Sequence, residues 1–221
     1  YGQKSAEEII ELSIKNTEIL LEKNCKIIVV ACNTATTNAI QILRKKYKIP
    51  FIGIEPAIKP ASIITKNNTI GILATKGTLN SNLFAKTSNS LRAEIKIIEQ
   101  IGEGLVPLIE NGMIDSVEME SLLQKHLKPF INNNIDSLVL GCTHYPYLIP
   151  KIKKIIGSKI AIIDSGEAVA NQTKRILSLN NALAQKKLPP FHQFYINTDS
   201  KVLIRILDTQ FNNIQVNKLD F

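Results

Sequence analysis

The chain has 221 residues, of which 44% are hydrophobic and 21% charged, and a formal net charge of +8. This is an ordinary globular composition, long enough for one large domain or two small ones; no apolar run approaches the roughly 20 residues of a membrane-spanning helix. The excess charge is scattered Lys, in pairs such as Lys45-Lys46, Lys153-Lys154 and Lys186-Lys187 near expected helix ends, and the sparse aromatics are not interleaved with it, which argues against a nucleic-acid surface.

Ser5 followed by Glu8 forms a capping-box pattern, and apolar residues at near-helical spacing (Ile9, Leu12, Ile14, Ile19) carry a helix to about Leu21. "KIIVV" (26–30) reads as a buried strand, 34–46 as a helix with a Lys-rich end, and "FIGI" (51–54) as a strand closed by Glu55-Pro56. Then come a strand at 69–73, a helix from about Thr78, a strand at 94–98 and helices over 103–110 and 115–131. The strand "DSLVLG" (136–141), a helix over 146–156, the strand "KIAIID" (159–164) and a helix over 166–179 follow, and "QFYIN" (193–197) opens a last strand-helix-strand unit. Continuous apolar strands alternating with helices imply parallel sheets covered on both faces, an α/β fold.

Cys25, Cys32 and Cys142 are an odd set without a CxxC, so neither a disulfide framework nor a zinc site is expected, and the absence of an export signal points to a reducing cytoplasm. Cys25 reads as a small buried hydrophobe. Cys32 and Cys142 share a context: "KIIVVACNT" and "DSLVLGCTH" are both strand, thiol, then small polar residues. Cys32 to Glu55 and Cys142 to Ser165 are each 23 residues, a weak internal repeat whose alternative is chance similarity among generic βα units. Each thiol falls at the carboxyl end of a strand, where open α/β sheets bind ligands. Pro146 fits a first helical turn, so Cys142 is expected beside a helix N-terminus that lowers its pKa and favours the thiolate. Two facing thiols suggest an acid and a base on opposite sides of one carbon centre.

"ACNTAT" (31–36) and "GCTHYP" (141–146) resemble the two signature motifs of the glutamate racemases, within the cofactor-independent aspartate/glutamate racemase superfamily. "YGQKSAEEI" (1–9), "GIEPAIKPA" (53–61), "GILATKGT" (71–78), "LVPLIENG" (105–112) and "IDSG" (163–166) agree in order, so the resemblance spans nearly the whole chain. His144 after Cys142-Thr143 favours glutamate over aspartate. The resemblance implies two pseudo-symmetric domains, 1–54 plus 169–221 and 55–168, with the active site between them and hinges near "GIEPA" and "DSGEA". It implies Cys32 as the base toward D-glutamate and Cys142 toward L-glutamate, with Glu110 and His144 tuning or relaying protons beside Cys142. Tyr1, Gly2, Asn33, Thr34, Thr75, Thr78 and Thr143 would hold the substrate. It further implies no cofactor, no metal, a glutamate substrate with no nucleic-acid or membrane partner, a possible homodimer, and a role in supplying D-glutamate for peptidoglycan. His126 and His192 lack such context and read as structural.

The chain opens at Tyr1-Gly2 without Met, and the family's first strand, ending in an Asp-Ser-Gly that assists the first thiol and binds substrate, has no match; Asp164-Ser165-Gly166 belongs to the second half. A chain starting at Tyr1 is therefore expected to lack the partner of Cys32 and to be nearly inactive. Other readings are a superfamily member acting on aspartate or a hydantoin, a Cys-His hydrolase with Cys142 as nucleophile and His144 as base, and a binding module without turnover.

Overall fold

Helix α1 (Ala6–Glu22) starts where the sequence says it should. The Ser5 hydroxyl accepts the Glu8 N–H at 3.2 Å, and the Glu8 carboxylate accepts the Ser5 N–H at 2.9 Å, so two orphan donors are satisfied reciprocally. Strand β1 (Ile28–Val30) follows, then α2 (Asn33–Lys46) and β2 (Phe51–Gly53), which pairs parallel to β1 with Val29 opposite Ile52. Thr36 stitches this unit together: its hydroxyl donates to Val30 O at 3.0 Å and accepts from Ile54 N at 3.1 Å. The computed structural model describes residues 1–185, 189–207 and 214–221, so the Lys186-Lys187 pair lies outside the described residues.

A four-stranded parallel sheet fills the middle of the chain. Its strands are β3 (Thr69–Ala74), β4 (Lys96–Ile101), β5 (Ser137–Gly141) and β6 (Ala161–Ile163), in the order β4-β3-β5-β6. The pleat sends Leu73, Leu138 and Leu140 to one face, against Phe130, Leu123 and Tyr145, and Ile70, Ile72 and Val139 to the other, against Ile58 and Phe84. Both faces are dry, which is why these strands read as unbroken apolar runs; each such side chain stabilises the fold by roughly 1.5–3 kcal/mol.

Helices α3 (Ile58–Ile64), α4 (Lys76–Leu79), α5 (Asn82–Asn89), α6 (Leu105–Glu110), α7 (Val117–Asn132), α8 (Ile149–Ile156) and α9 (Gly166–Leu179) connect these strands. The last unit is β7 (His192–Ile196), α10 (Lys201–Leu207) and β8 (Ile214–Lys218), with β7 and β8 parallel. The chain crosses between sheets near Glu55 and Ser165, and the Ser165 hydroxyl donates to Glu55 O, tying the crossings together. No described helix is long and apolar enough to cross a membrane.

The α/β class and the parallel sheets hold as expected, and some boundaries move. Strand β4 begins two residues later than 94 and runs on through Glu99 and Gln100; as a sheet edge it tolerates exposed polar positions. The helix expected over 146–156 is a 3-10 helix, Tyr145–Leu148, followed by α8, because Pro146 and Pro150 each remove a backbone donor. The helix expected from Thr78 is two short helices, α4 and α5, with Ser81 capping the second.

Candidate active site

Cys32 lies two residues past β1 and is the N-cap of α2, in extended conformation, its sulfur accepting the Ala35 N–H at 3.5 Å. The next residues line the same helix start. Asn33 is 3% exposed and its side-chain oxygen is buried with no hydrogen-bond partner, an acceptor held ready for a donor. Thr34 reaches across to the α4 segment of the four-stranded sheet. Its hydroxyl lies 2.8 Å from that of Thr75 and 3.0 Å from that of Thr78, and the latter two are 3.0 Å apart. Thr75 is also the N-cap of α4.

Two further groups close this corner. Gly2 O accepts the Gly77 N–H at 3.2 Å. The Tyr1 hydroxyl accepts from Asn16 Nδ2 at 2.9 Å, and burial, with the nearby Cys32 adding to it, pushes that phenol's pKa up. Asn38, one turn along α2, was not anticipated from the sequence. Its amide donates to Thr34 O at 2.8 Å and to Gly77 O at 3.4 Å, bracing the same seam. Its place four residues after Thr34, on the same helix face, was the available signal.

Cys142 follows β5 from the other sheet and is buried. The expected depression of its pKa is not found. Burial pushes the thiol up to about 11, opposed by hydrogen bonds from the His144 and Tyr145 N–H groups and raised further by the charges of Cys32 and Glu110. A four-residue 3-10 helix supplies too little dipole to offset desolvation. His144 Nδ1 is 3.8 Å from the Cys142 sulfur, and its Nε2 is 3.2 Å from Glu110 Oε1, at the end of α6. Thr143, between Cys142 and His144 in sequence, is half-buried. Tyr145, also unanticipated, is fully buried and donates its hydroxyl to Gly102 O at 3.1 Å, anchoring the Cys142 loop.

The two thiols therefore come from different sheets yet share one electrostatic neighbourhood. Cys32 opposes ionisation of Cys142, an interaction that weakens steeply with distance and screening. His126 and His192 stand apart from this group. His126 Nε2 donates to Glu103 O at 2.8 Å and Nδ1 accepts from Gln100 Nε2 at 3.2 Å. His192 begins β7. Cys25 packs half-buried against the core around Leu43. A cavity of 430 Å³ lies behind Cys32, lined by α1, β1 and β7, and does not reach Cys142. Among the described residues no three His, Cys, Asp or Glu side chains are placed to hold a metal ion.

Comparison with known proteins points to one family. Residues 2–173 match the family described as Asp/Glu/Hydantoin racemase. A glutamate racemase of Ralstonia pickettii is 44% identical over 178 residues; the match covers 80% of this chain, which thus spans 63% of that relative's length. The structure superposes on a glutamate racemase from Bacillus anthracis with a TM-score of 0.88 at 33% identity, covering all of this chain and 84% of the other. It also superposes on the Escherichia coli glutamate racemase solved with L-glutamate, with a TM-score of 0.86 at 28% identity, covering all of this chain and 84% of that one.

Proposed function

The chain belongs to the Asp/Glu/hydantoin racemase family, and from that premise we propose that it interconverts L- and D-glutamate by proton transfer between two opposed thiols, Cys32 and Cys142. The observation that carries this reading is geometric: Cys32 and Cys142 lie just past strands of separate sheets, and Thr34, two residues after Cys32, meets Thr75 and Thr78 of the other sheet's segment at 2.8 and 3.0 Å. Inversion needs two such groups, because a single base returns its proton to the face it came from.

In the proposed reaction one sulfur is a thiolate and the other a thiol. With D-glutamate, the Cys32 thiolate removes the α-proton, and the Cys142 S–H delivers its proton to the opposite face. L-Glutamate leaves behind a Cys32 thiol and a Cys142 thiolate, and the reverse reaction uses the same groups in exchanged roles. The high pKa of Cys142 suits the donor half, since burial keeps its proton in place at neutral pH. His144 and Glu110 then form a polar path from that sulfur to a side chain 61% exposed to solvent, by which the thiol can regain or lose its proton between turnovers. The unpartnered Asn33 oxygen suits the substrate ammonium, and the hydroxyls of Thr34, Thr75 and Thr78 suit a carboxylate. Thr143, Tyr1 and Gly2 complete the contacts in this reading. Because the α-proton is only weakly acidic, most of the acceleration must come from positioning and from exclusion of water.

The proposal keeps the domain division 1–54 plus 169–221 and 55–168. In its support, β3 to β6 fall wholly within 55–168, and β1, β2, β7 and β8 wholly outside it. It also places the protein in the cytoplasm, as a homodimer supplying D-glutamate for peptidoglycan. The hydrolase reading predicts a covalent acyl-enzyme on Cys142, whereas the racemase reading predicts solvent deuterium at the α-carbon.

Circular dichroism of each glutamate enantiomer incubated with the protein, carrying the family's Asp-Ser-Gly strand ahead of Tyr1, tests the reading. Decay of both signals to zero is expected. No change in either, or change with aspartate alone, overturns it.

A further inference from the structure

Gly77 lies inside α4, and its φ is not in the left-handed region, so its backbone does not call for glycine. Alanine would be the better helix former at that position. The reason for glycine is spatial. A Cβ added there would meet Thr34 Cγ2 at 2.7 Å, well inside contact distance, while its next neighbours, Gly2 O and Gly2 Cα, stand at an ordinary 3.4 and 3.6 Å.

Thr34 cannot yield cheaply. It is 2% exposed, and its Cγ2 and Oγ1 sit on the same Cβ, so any rotation that moves the methyl away also moves the hydroxyl. That hydroxyl is the member of the three-threonine cluster that comes from the Cys32 helix; Thr75 and Thr78 come from the segment after β3. Asn38 holds Thr34 O and Gly77 O together from behind, so the helices cannot simply draw apart without losing those bonds.

We infer that Gly77 is a positioning residue for substrate: its missing Cβ lets Thr34 cross the seam and complete, with Thr75 and Thr78, a single hydroxyl cluster that receives a substrate carboxylate. This rests on the reading proposed above and adds the steric condition under which that pocket exists. Three hydroxyls carry only three protons. They are spent within the cluster, and an arriving carboxylate draws one or more outward, which is possible only if all three stay within reach of one point.

The test is a steric swap across the seam, in the full chain. G77A introduces the clash, T34S removes the clashing methyl and keeps the hydroxyl, and G77A/T34S combines them. G77A is expected to raise KM about tenfold for both enantiomers, with kcat within about threefold, the pattern of lost uniform binding. G77A/T34S is expected to return to the KM of T34S. If G77A does not fold, recovery of folding in G77A/T34S, with the KM of T34S, supports the same contact. A G77A protein with wild-type KM, or a KM defect that T34S leaves in place, overturns the inference. Should the chain carrying the Asp-Ser-Gly strand ahead of Tyr1 leave both enantiomers unchanged, the functional reading falls, and the same variants are read by calorimetric titration with D-glutamate. Affinities following the pattern above uphold the steric role; equal affinities, or no binding to any of them, overturn it.

Discussion

Glu110 presents a carboxylate oxygen 3.2 Å from His144 Nε2, and the other ring nitrogen of His144 faces the Cys142 sulfur at 3.8 Å. An imidazole between a carboxylate and a thiol is oriented by one and serves the other. Here Glu110 comes from α6, and Cys142 and His144 from the segment just after β5, so the chain of contacts exists only in the folded protein.

Glu110→Gln keeps a hydrogen-bonding oxygen near Nε2 and removes the charge. Loss of one charge-assisted hydrogen bond is worth about 1.5–3 kcal/mol, so kcat should fall at least about tenfold. KM should stay within about twofold, because Glu110 is not among the groups assigned to substrate. Initial rates by circular dichroism, with each enantiomer, check this.

Each thiol alone should support exchange without inversion. In D₂O, Cys142→Ala leaves Cys32 to remove and return a proton on one face, so D-glutamate gains α-deuterium and remains D. Cys32→Ala should do the same to L-glutamate. Proton NMR of the α position, read beside optical activity, distinguishes exchange from racemisation.

The raised pKa of Cys142 carries a stability signature. An unfolded cysteine titrates near 8.5, whereas Cys142 in the fold titrates near 11. Between these values the native state holds the extra proton, so stability must fall as pH rises from about 8.5 to about 11 and be fully present below that window. The contribution is on the order of 3 kcal/mol. Urea unfolding across this range should show that fall for the wild type and a shallower slope for Cys142→Ala. The slope is the quantity to compare, since alanine also leaves a cavity.

Much of the fold was legible because its signals are local. The Ser5–Glu8 box, the Lys-rich end of α2, the apolar run of β5 and helix α9 over 166–179 all follow from neighbours in sequence. Helix α3 (Ile58–Ile64) went unread because it is one short element with Pro60 near its start and no side-chain cap. At the site, the two thiols were visible as a repeated strand–Cys–polar pattern. What sequence could not supply was depth. The rule that a thiol at a helix start is acidic loses to the burial of Cys142, which depends on side chains brought in from α6 and α7. The bracing by Asn38 and Tyr145 was equally hidden, since their partners Gly77 and Gly102 lie about 40 residues away.

The transfer of one proton out and a different one in, through Cys32 and Cys142, is tested most directly by following wild-type protein with L-glutamate in D₂O at early times. The two-thiol mechanism predicts that nearly every D-glutamate molecule formed carries deuterium at the α-carbon while the remaining L-glutamate stays protiated. D-Glutamate that keeps its original α-proton would contradict it.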